Sequence, residues 1–174
     1  MAKLICGVLY REGDVFEPTK ERLEEAFGPV DLESSPFPFD CTDYYEREMG
    51  PGLSRVFLGF ARLVEPDSLA GVKLITNALE NRFSAGPGRT RRRVNLDPGI
   101  LTASSLIMAT AKDFSHRVPL RDGIYAHLEF LFTKSGLRFL DWTYPDFRKP
   151  EYREFFLKAR RRYLDQLKSA LSVR

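Results

Sequence analysis

The chain has 174 residues, of which 43% are apolar and 29% charged. That excludes wholesale disorder and predicts one domain over 1–174, burying roughly 70% of its unfolded surface without a disulfide or metal staple. A net charge of +3 suits an anionic partner and falls short of the basic excess of a dedicated nucleic-acid binder. Fourteen Phe, seven Tyr and one Trp predict a Phe-rich core with aromatic area left over for a surface or pocket. Cys6 lies in an apolar run and neither it nor Cys41 belongs to a C-x-x-C pair, so no zinc site and no disulfide are expected. No stretch approaches the roughly 18 apolar residues of a membrane span. The N-terminus lacks the apolar run of a signal peptide. A cytoplasmic protein without membrane association is the expectation.

In chain order, residues 3–10 read as a buried strand, and Pro18 opens a short helix over 18–27 that Gly28-Pro29 stops. A short strand follows at 30–34, and Pro36 and Pro38 hold an extended segment through Phe39. Asp43-x-x-Glu46 resembles a capping box for one or two helical turns, ended by Gly50-Pro51-Gly52. Residues 54–64 are strand-like. Pro66 begins an amphipathic helix with Leu69, Val72, Leu74, Ile75, Leu79 and Phe83 near helical spacing, and 91–96 form a fourth strand. The order β-α-β-β-α-β is that of a ferredoxin-like split βαβ unit.

Asp97-Pro98 reads as an N-cap with proline at the first helical position. Ile100, Leu101, Ser104, Ile107, Met108 and Ala111 would then share a helical stripe, with a strand across 105–110 as the alternative. A three-stranded meander is expected near 115–120, 124–133 and 137–144, turning at Asp122-Gly123 and Ser135-Gly136. A terminal helix over 150–171 would face Tyr152, Phe155, Phe156, Ala159, Tyr163, Leu167 and Leu171 inward. The predicted class is α+β with a mainly antiparallel sheet.

The two turns set a register. With Asp122-Gly123 at the centre of a tight turn, Leu120 faces Tyr125, Val118 faces His127 and His116 faces Glu129. With Ser135-Gly136 in the same role, Glu129 faces Trp142 and His127 faces Tyr144. Opposed residues share a sheet face, as do positions two apart. One face would then present His116, Tyr125, His127, Glu129, Arg138, Trp142 and Tyr144, and the other Ile124, Leu128, Phe130, Phe132 and Phe139. Both histidines fall beside one carboxylate, a common proton-transfer unit. The competing reading is a solvated sheet face with ordinary cross-strand pairs, and a slip of one residue scatters the set. The register also puts Arg117 and Asp141 on the apolar side. Two His and one Glu are the residue types of a facial triad for a divalent metal, but adjacent strand positions converge poorly, and no metal or other cofactor is expected.

Asp40, after the proline-locked segment, is a candidate functional acid, whereas Asp43 is explained as a cap and Tyr44 as a wall. Asn95 stands at the predicted strand-to-helix junction, where ligand contacts are frequent. No phosphate loop, dinucleotide fingerprint or nucleophile elbow is present. Arg89, Arg91, Arg92 and Arg93 form one basic run, and residues 145–174 carry nine Lys/Arg against four Asp/Glu.

Five segments together resemble a known family. They are Ser35–Tyr45 through Glu48-Met49-Gly50, then Asn95–Gly99, Ala111–Arg117, Gly123–Ala126 and Trp142–Arg148. The family is an uncharacterised bacterial one, domain of unknown function 4416, and the resemblance spans nearly the whole chain. It implies a bacterial or archaeal cytosolic single-domain protein and carries no activity with it.

The functional expectation is a ligand-binding domain for a small anionic or nucleotide-like molecule, with enzymatic turnover left open. Lys112, Arg117 and Arg148 would meet the anion, with Tyr44, Trp142 and Tyr144 as walls and Tyr125 as a further ligand-binding residue. His116, Glu129 and Asp40 would be the catalytic groups, with Asn95 and His127 as further ligand contacts. The alternative is an RNA- or protein-interaction module using the basic terminal helix and the Arg89–Arg93 loop.

Overall fold

The computed structural model describes residues 1–11, 15–42, 44–84 and 92–172. Its first elements are β1 (Ala2–Arg11), α1 (Phe16–Phe27), β2 (Val30–Glu33), β3 (Phe37–Pro38), α2 (Glu46–Met49), β4 (Leu53–Val64) and α3 (Leu69–Arg82). Then come β5 (Val94–Leu101), β6 (Ser105–Thr110), β7 (Val118–Pro119), β8 (Tyr125–Thr133), β9 (Gly136–Phe139) and α4 (Pro150–Ser172). Single 3-10 turns occupy Pro66–Ser68 and Pro145–Arg148.

All of the strands join one antiparallel sheet in the order β2-β4-β1-β5-β6-β8-β7, with β3 on β4 and β9 on β8. The stretch β2-β4-β1-β5, with α1 and α3 as its crossovers, is the split βαβ arrangement read from the sequence. Strand β1 lies at its centre, and residues 2–10 are all buried because both faces of the sheet are covered. On one side Leu4, Cys6 and Val8 pack against Leu23 and Phe27 of α1 and Val72 and Leu79 of α3. On the other, Ile5, Phe57, Leu106 and Phe130 meet Tyr152, Phe155, Phe156 and Tyr163 of α4. Phe57 anchors this side, its ring 4.7 Å from Tyr152 and 5.0 Å from Phe156.

Three expectations are corrected. In α3 the inward stripe is Leu69, Val72, Lys73, Thr76, Leu79 and Glu80, while Leu74 and Ile75 face solvent. Two ionisable residues hold inward positions there, for a reason given below. The helix expected over 98–111 does not form. The Asp97-Pro98 pair belongs to β5, which pairs with β1 from Val94 to Leu101 and turns through Thr102 into β6. Pairing to the central strand overrides the local capping signal.

The meander is the third. β6 takes one edge of β8 along its length, so β7 and β9 lie end to end on the other edge, at Tyr125–Ala126 and Phe130–Thr133. Asp122 (φ 56°) and Gly123 (φ 72°) do form the centre of a tight turn closed by Ile124 N–H to Arg121 C=O at 3.0 Å. Leu120 then bonds Ile124 again, and the pairing slips by one, so Pro119 faces Tyr125 and Val118 faces Ala126. At the second turn Thr133 pairs with Gly136 and β9 ends at Phe139. Trp142 and Tyr144 therefore never join the ladder. The Asp43 cap, Arg89, Arg91 and the Leu171 side chain lie outside the described residues.

Candidate functional site

The site begins with a proline. In β5, Leu96 directs its N–H and C=O away from β1, and Pro98, two residues on, shares that orientation. Pro98 has no N–H to give, and β5 and β6 pair only over Gly99–Leu101 and Leu106–Met108. The sheet forks there. Helix α3 fills the missing ladder at Leu96: Glu80 Oε1 accepts its N–H at 2.7 Å and Lys73 Nζ donates to its carbonyl at 2.6 Å. Burial pushes the Glu80 carboxyl up, opposed by Lys73. These two residues stand on the inward stripe of α3 because the open edge needs both a donor and an acceptor.

A cavity of about 470 Å³ occupies the α4 side of this fork, between Asp97 on one prong and Ala109 and Thr110 on the other. Helix α4 does not reach it. Phe39, Cys41, Thr42, Tyr44 and Tyr45 and the turn after Tyr144 cover it instead. Arg55 rises from β4 into its inner end, 4% exposed, with its guanidinium 4.6 Å from the centre of the Phe39 ring. It donates to Asp146 at 2.6 Å and to Asp97 at 3.3 Å. Burial pushes the Asp146 carboxyl up, with Arg55 acting against it; for Arg55 desolvation works downward, and Asp146 and Asp97 together with Tyr152 and Tyr45 raise its pKa overall. Asp97 is oriented by a relay: Arg92 donates to Asn95 Oδ1 at 2.7 Å, and Asn95 Nδ2 donates to Asp97 Oδ2 at 2.8 Å.

The opposite wall is His127, which faces Met108 across the ladder. Between Leu106↔Phe130 and Ile107↔Leu128 the register shifts by one, so Glu129 is the extra residue of a β-bulge. The bulge turns His127 to the side that also carries Phe130, and lets the fully buried Glu129 meet it, Oε2 against Nε2. Glu129 Oε1 accepts Tyr144 N–H at 2.8 Å, Thr143 Oγ1 donates to Glu129 C=O, and the Trp142 indole donates to Leu128 C=O at 2.8 Å. Residues 142–144 thus fill the gap that β7 and β9 leave on the edge of β8. His127 Nδ1 is buried and has no hydrogen-bond partner among the described residues.

The rim is cationic and aromatic. Lys112 Nζ donates to Tyr44 Oη at 2.7 Å, and Arg117 donates to Tyr144 Oη at 2.9 Å and to Lys112 C=O at 2.8 Å. Neither cation has a carboxylate partner among the described residues. Burial raises the pKa of Tyr45 and Tyr144, keeping both phenols neutral, and raises the Cys41 thiol, which leaves it a poor nucleophile. Outside the cavity His116 stacks on Trp142, centroids 5.3 Å apart at 8°, and reaches the His127 ring at 5.5 Å. Burial, with His127 and Arg117 nearby, lowers its pKa. Among the described residues no group of three or more His, Cys, Asp or Glu side chains is gathered as metal ligands would be.

A family model described as "Domain of unknown function (DUF4416)" matches residues 1–163. The chain belongs to that family. The DUF4416 match covers every residue that lines the cavity. No curated protein and no solved structure matches the chain.

Of the residues singled out in the sequence, this DUF4416 chain brings Tyr44, Lys112, His127 and Tyr144 to the cavity itself, with Glu129 behind His127 and Arg117 at the rim. His116 and Trp142 form a ring pair beside it. Asn95 acts one step back, through Asp97. The remaining three stand elsewhere. Asp40 is exposed and paired with Lys149 at 2.6 Å, Tyr125 sits on β8 opposite Pro119, and Arg148 donates to Leu140 C=O at 2.6 Å. Arg117 and Asp141 do not meet on an apolar face: Arg117 binds Tyr144, and Asp141 is exposed. The set that sequence reading missed is Arg55, Asp97 and Asp146. Arg55 did leave a signal, a lone charge at an inward position of the apolar strand Leu53–Phe60.

Proposed function

We propose that this domain binds a small anionic, nucleotide-like molecule in the fork cavity. The supporting observation is one cavity, of a size usual for small ligands, that gathers Arg55, Asp97, Asp146 and His127 beneath a rim holding Lys112 and Arg117. A core built only for stability would fill such a space with apolar side chains, since buried ion pairs contribute little net stability. Lys112 and Arg117 meet the ligand's anionic group, and Tyr44 and Tyr144 flank it. The Glu129 carboxylate orients the His127 imidazole at the wall, the arrangement that acid–base catalysis uses.

The test is calorimetric titration with AMP, ADP and inorganic phosphate. A nucleotide should bind, more weakly as salt rises, and Lys112→Ala and Arg117→Ala should each weaken binding at unchanged melting temperature. Absence of binding at millimolar ligand, or affinity indifferent to both substitutions, overturns the reading. The alternative of RNA binding through α4 finds less support. Arg160 and Arg162 of α4 already donate to the carbonyls of Ala103 and Asp31.

A further inference from the structure

The cavity is electrically polarised, and the polarity specifies which end of a ligand goes where. At the inner end one cation, Arg55, faces two carboxylates, Asp97 and Asp146. Asp146 is 4% exposed and joined to Arg55 at 2.6 Å, so its charge is cancelled locally. Asp97 is different. Its side chain keeps 26% exposure in a residue that lines the cavity. Both bonds it receives, from Arg55 and Asn95, end on Oδ2. Oδ1 accepts no bond from any described residue and remains available. The inner end thus carries one net negative charge, whereas Lys112 and Arg117 put two positive charges at the exposed rim. A phosphate is repelled from the first and drawn to the second.

We infer that Asp97 is a specificity-determining residue that accepts a hydrogen bond from an amino group on the ligand, the ligand's anionic group lying at Lys112 and Arg117. This rests on the nucleotide-like reading and narrows it to molecules with an N–H donor at one end and an anion at the other, such as a nucleotide whose base carries an exocyclic amine. Selectivity of this kind is strong, because an analogue without the donor covers the Asp97 carboxylate oxygen, shuts water out and leaves it unpaired. The relay Arg92–Asn95–Asp97 serves it by fixing the Asn95 amide. Arg92 is a donor only, so it takes the amide oxygen and turns the amide N–H₂ toward Oδ2, leaving Oδ1 to the ligand.

The experiment compares AMP with purine riboside 5′-monophosphate, which lacks only the amino group, on the wild-type chain and on Asp97→Asn and Lys112→Ala. The wild type should prefer AMP by roughly tenfold or more. Asp97→Asn keeps the shape, since its oxygen can still accept from Arg55 and Asn95 while its amide N–H₂ faces the cavity. It should abolish or invert the preference. Lys112→Ala should weaken both ligands and keep the preference. Equal binding of the two nucleotides to the wild type, or a preference that survives Asp97→Asn, overturns the role of Asp97 and leaves the nucleotide reading standing. Failure of both nucleotides to bind overturns the two together. Should Asp97→Asn fold poorly, the wild-type comparison alone decides the matter.

Discussion

Replacing Arg55 with methionine should be among the most damaging substitutions outside the apolar core. Arg55 and Asp146 are each 4% exposed and joined at 2.6 Å, and Asp97 shares the same guanidinium. Removing the cation leaves a buried carboxylate uncompensated and a second one beside it, a loss of about 3–5 kcal/mol. At roughly 2–4 °C per kcal/mol for a chain of this length, the melting temperature falls by about 6–20 °C. Urea unfolding followed by circular dichroism gives the free energy directly. Two further readings sharpen the test. Adding Asp146→Leu to Arg55→Met should restore most of the loss, because the orphaned charge is then gone. The deficit should also shrink with acid. Burial already holds the Asp146 carboxyl above its ordinary value, and without Arg55 it moves higher. A raised carboxyl destabilises the folded chain only while ionised there, so the deficit fades as pH falls through the folded-state value. A deficit below about 1 kcal/mol, or one independent of pH, would show instead that the pair is solvated and that no charge is orphaned by the substitution.

Other expectations follow from the fork. Glu80→Ala strands the Leu96 N–H and should cost about 1–3 kcal/mol, with faster hydrogen exchange at Leu96, whereas Glu80→Gln, which keeps an acceptor, should cost less; equal losses would deny the edge-filling role. Gly99→Ala would place its Cβ 2.4 Å from Met108 Sδ and 2.9 Å from the Ile107 carbonyl, so it should cost roughly 1–3 kcal/mol by overpacking; a variant of wild-type stability would mean the strands part readily below the fork. His116 titrates below its ordinary value of 6.5 when folded. As pH drops past 6.5 the unfolded chain takes the proton first, so stability declines from there until the folded imidazole also protonates. His116→Gln should flatten that decline in unfolding curves between pH 8 and 5, and identical slopes would remove His116 as its source.

The first half of the fold was legible because its signals agree across levels. Apolar runs at 3–10 and 54–64, Gly-Pro stops and one amphipathic helix lead to the split βαβ order. The second half misled where a local signal opposed a long-range one. Asp97-Pro98 has the chemistry of a helix start, yet pairing with Cys6 and Gly7 draws both residues into β5. The site was legible by composition more than by register. His116, His127, Glu129, Trp142 and Tyr144 do come together, but through ring contacts, side-chain bonds and a bulge at Glu129. A bulge adds one residue without changing the residue pattern, so strict alternation cannot register it. Arg55, Asp97 and Asp146 are 91 residues apart at the extremes and meet only through the sheet order, which no local window contains.

Whether a ligand binds in the fork cavity is read from an amide-resolved NMR titration with AMP. Shift changes should concentrate at Tyr44, Asp97, Ala109, Thr110, Lys112, His127 and Tyr144 and be strongly reduced in Lys112→Ala. Changes confined to α4 and the arginine-rich segment, or a spectrum unmoved at millimolar AMP, would contradict binding in the cavity.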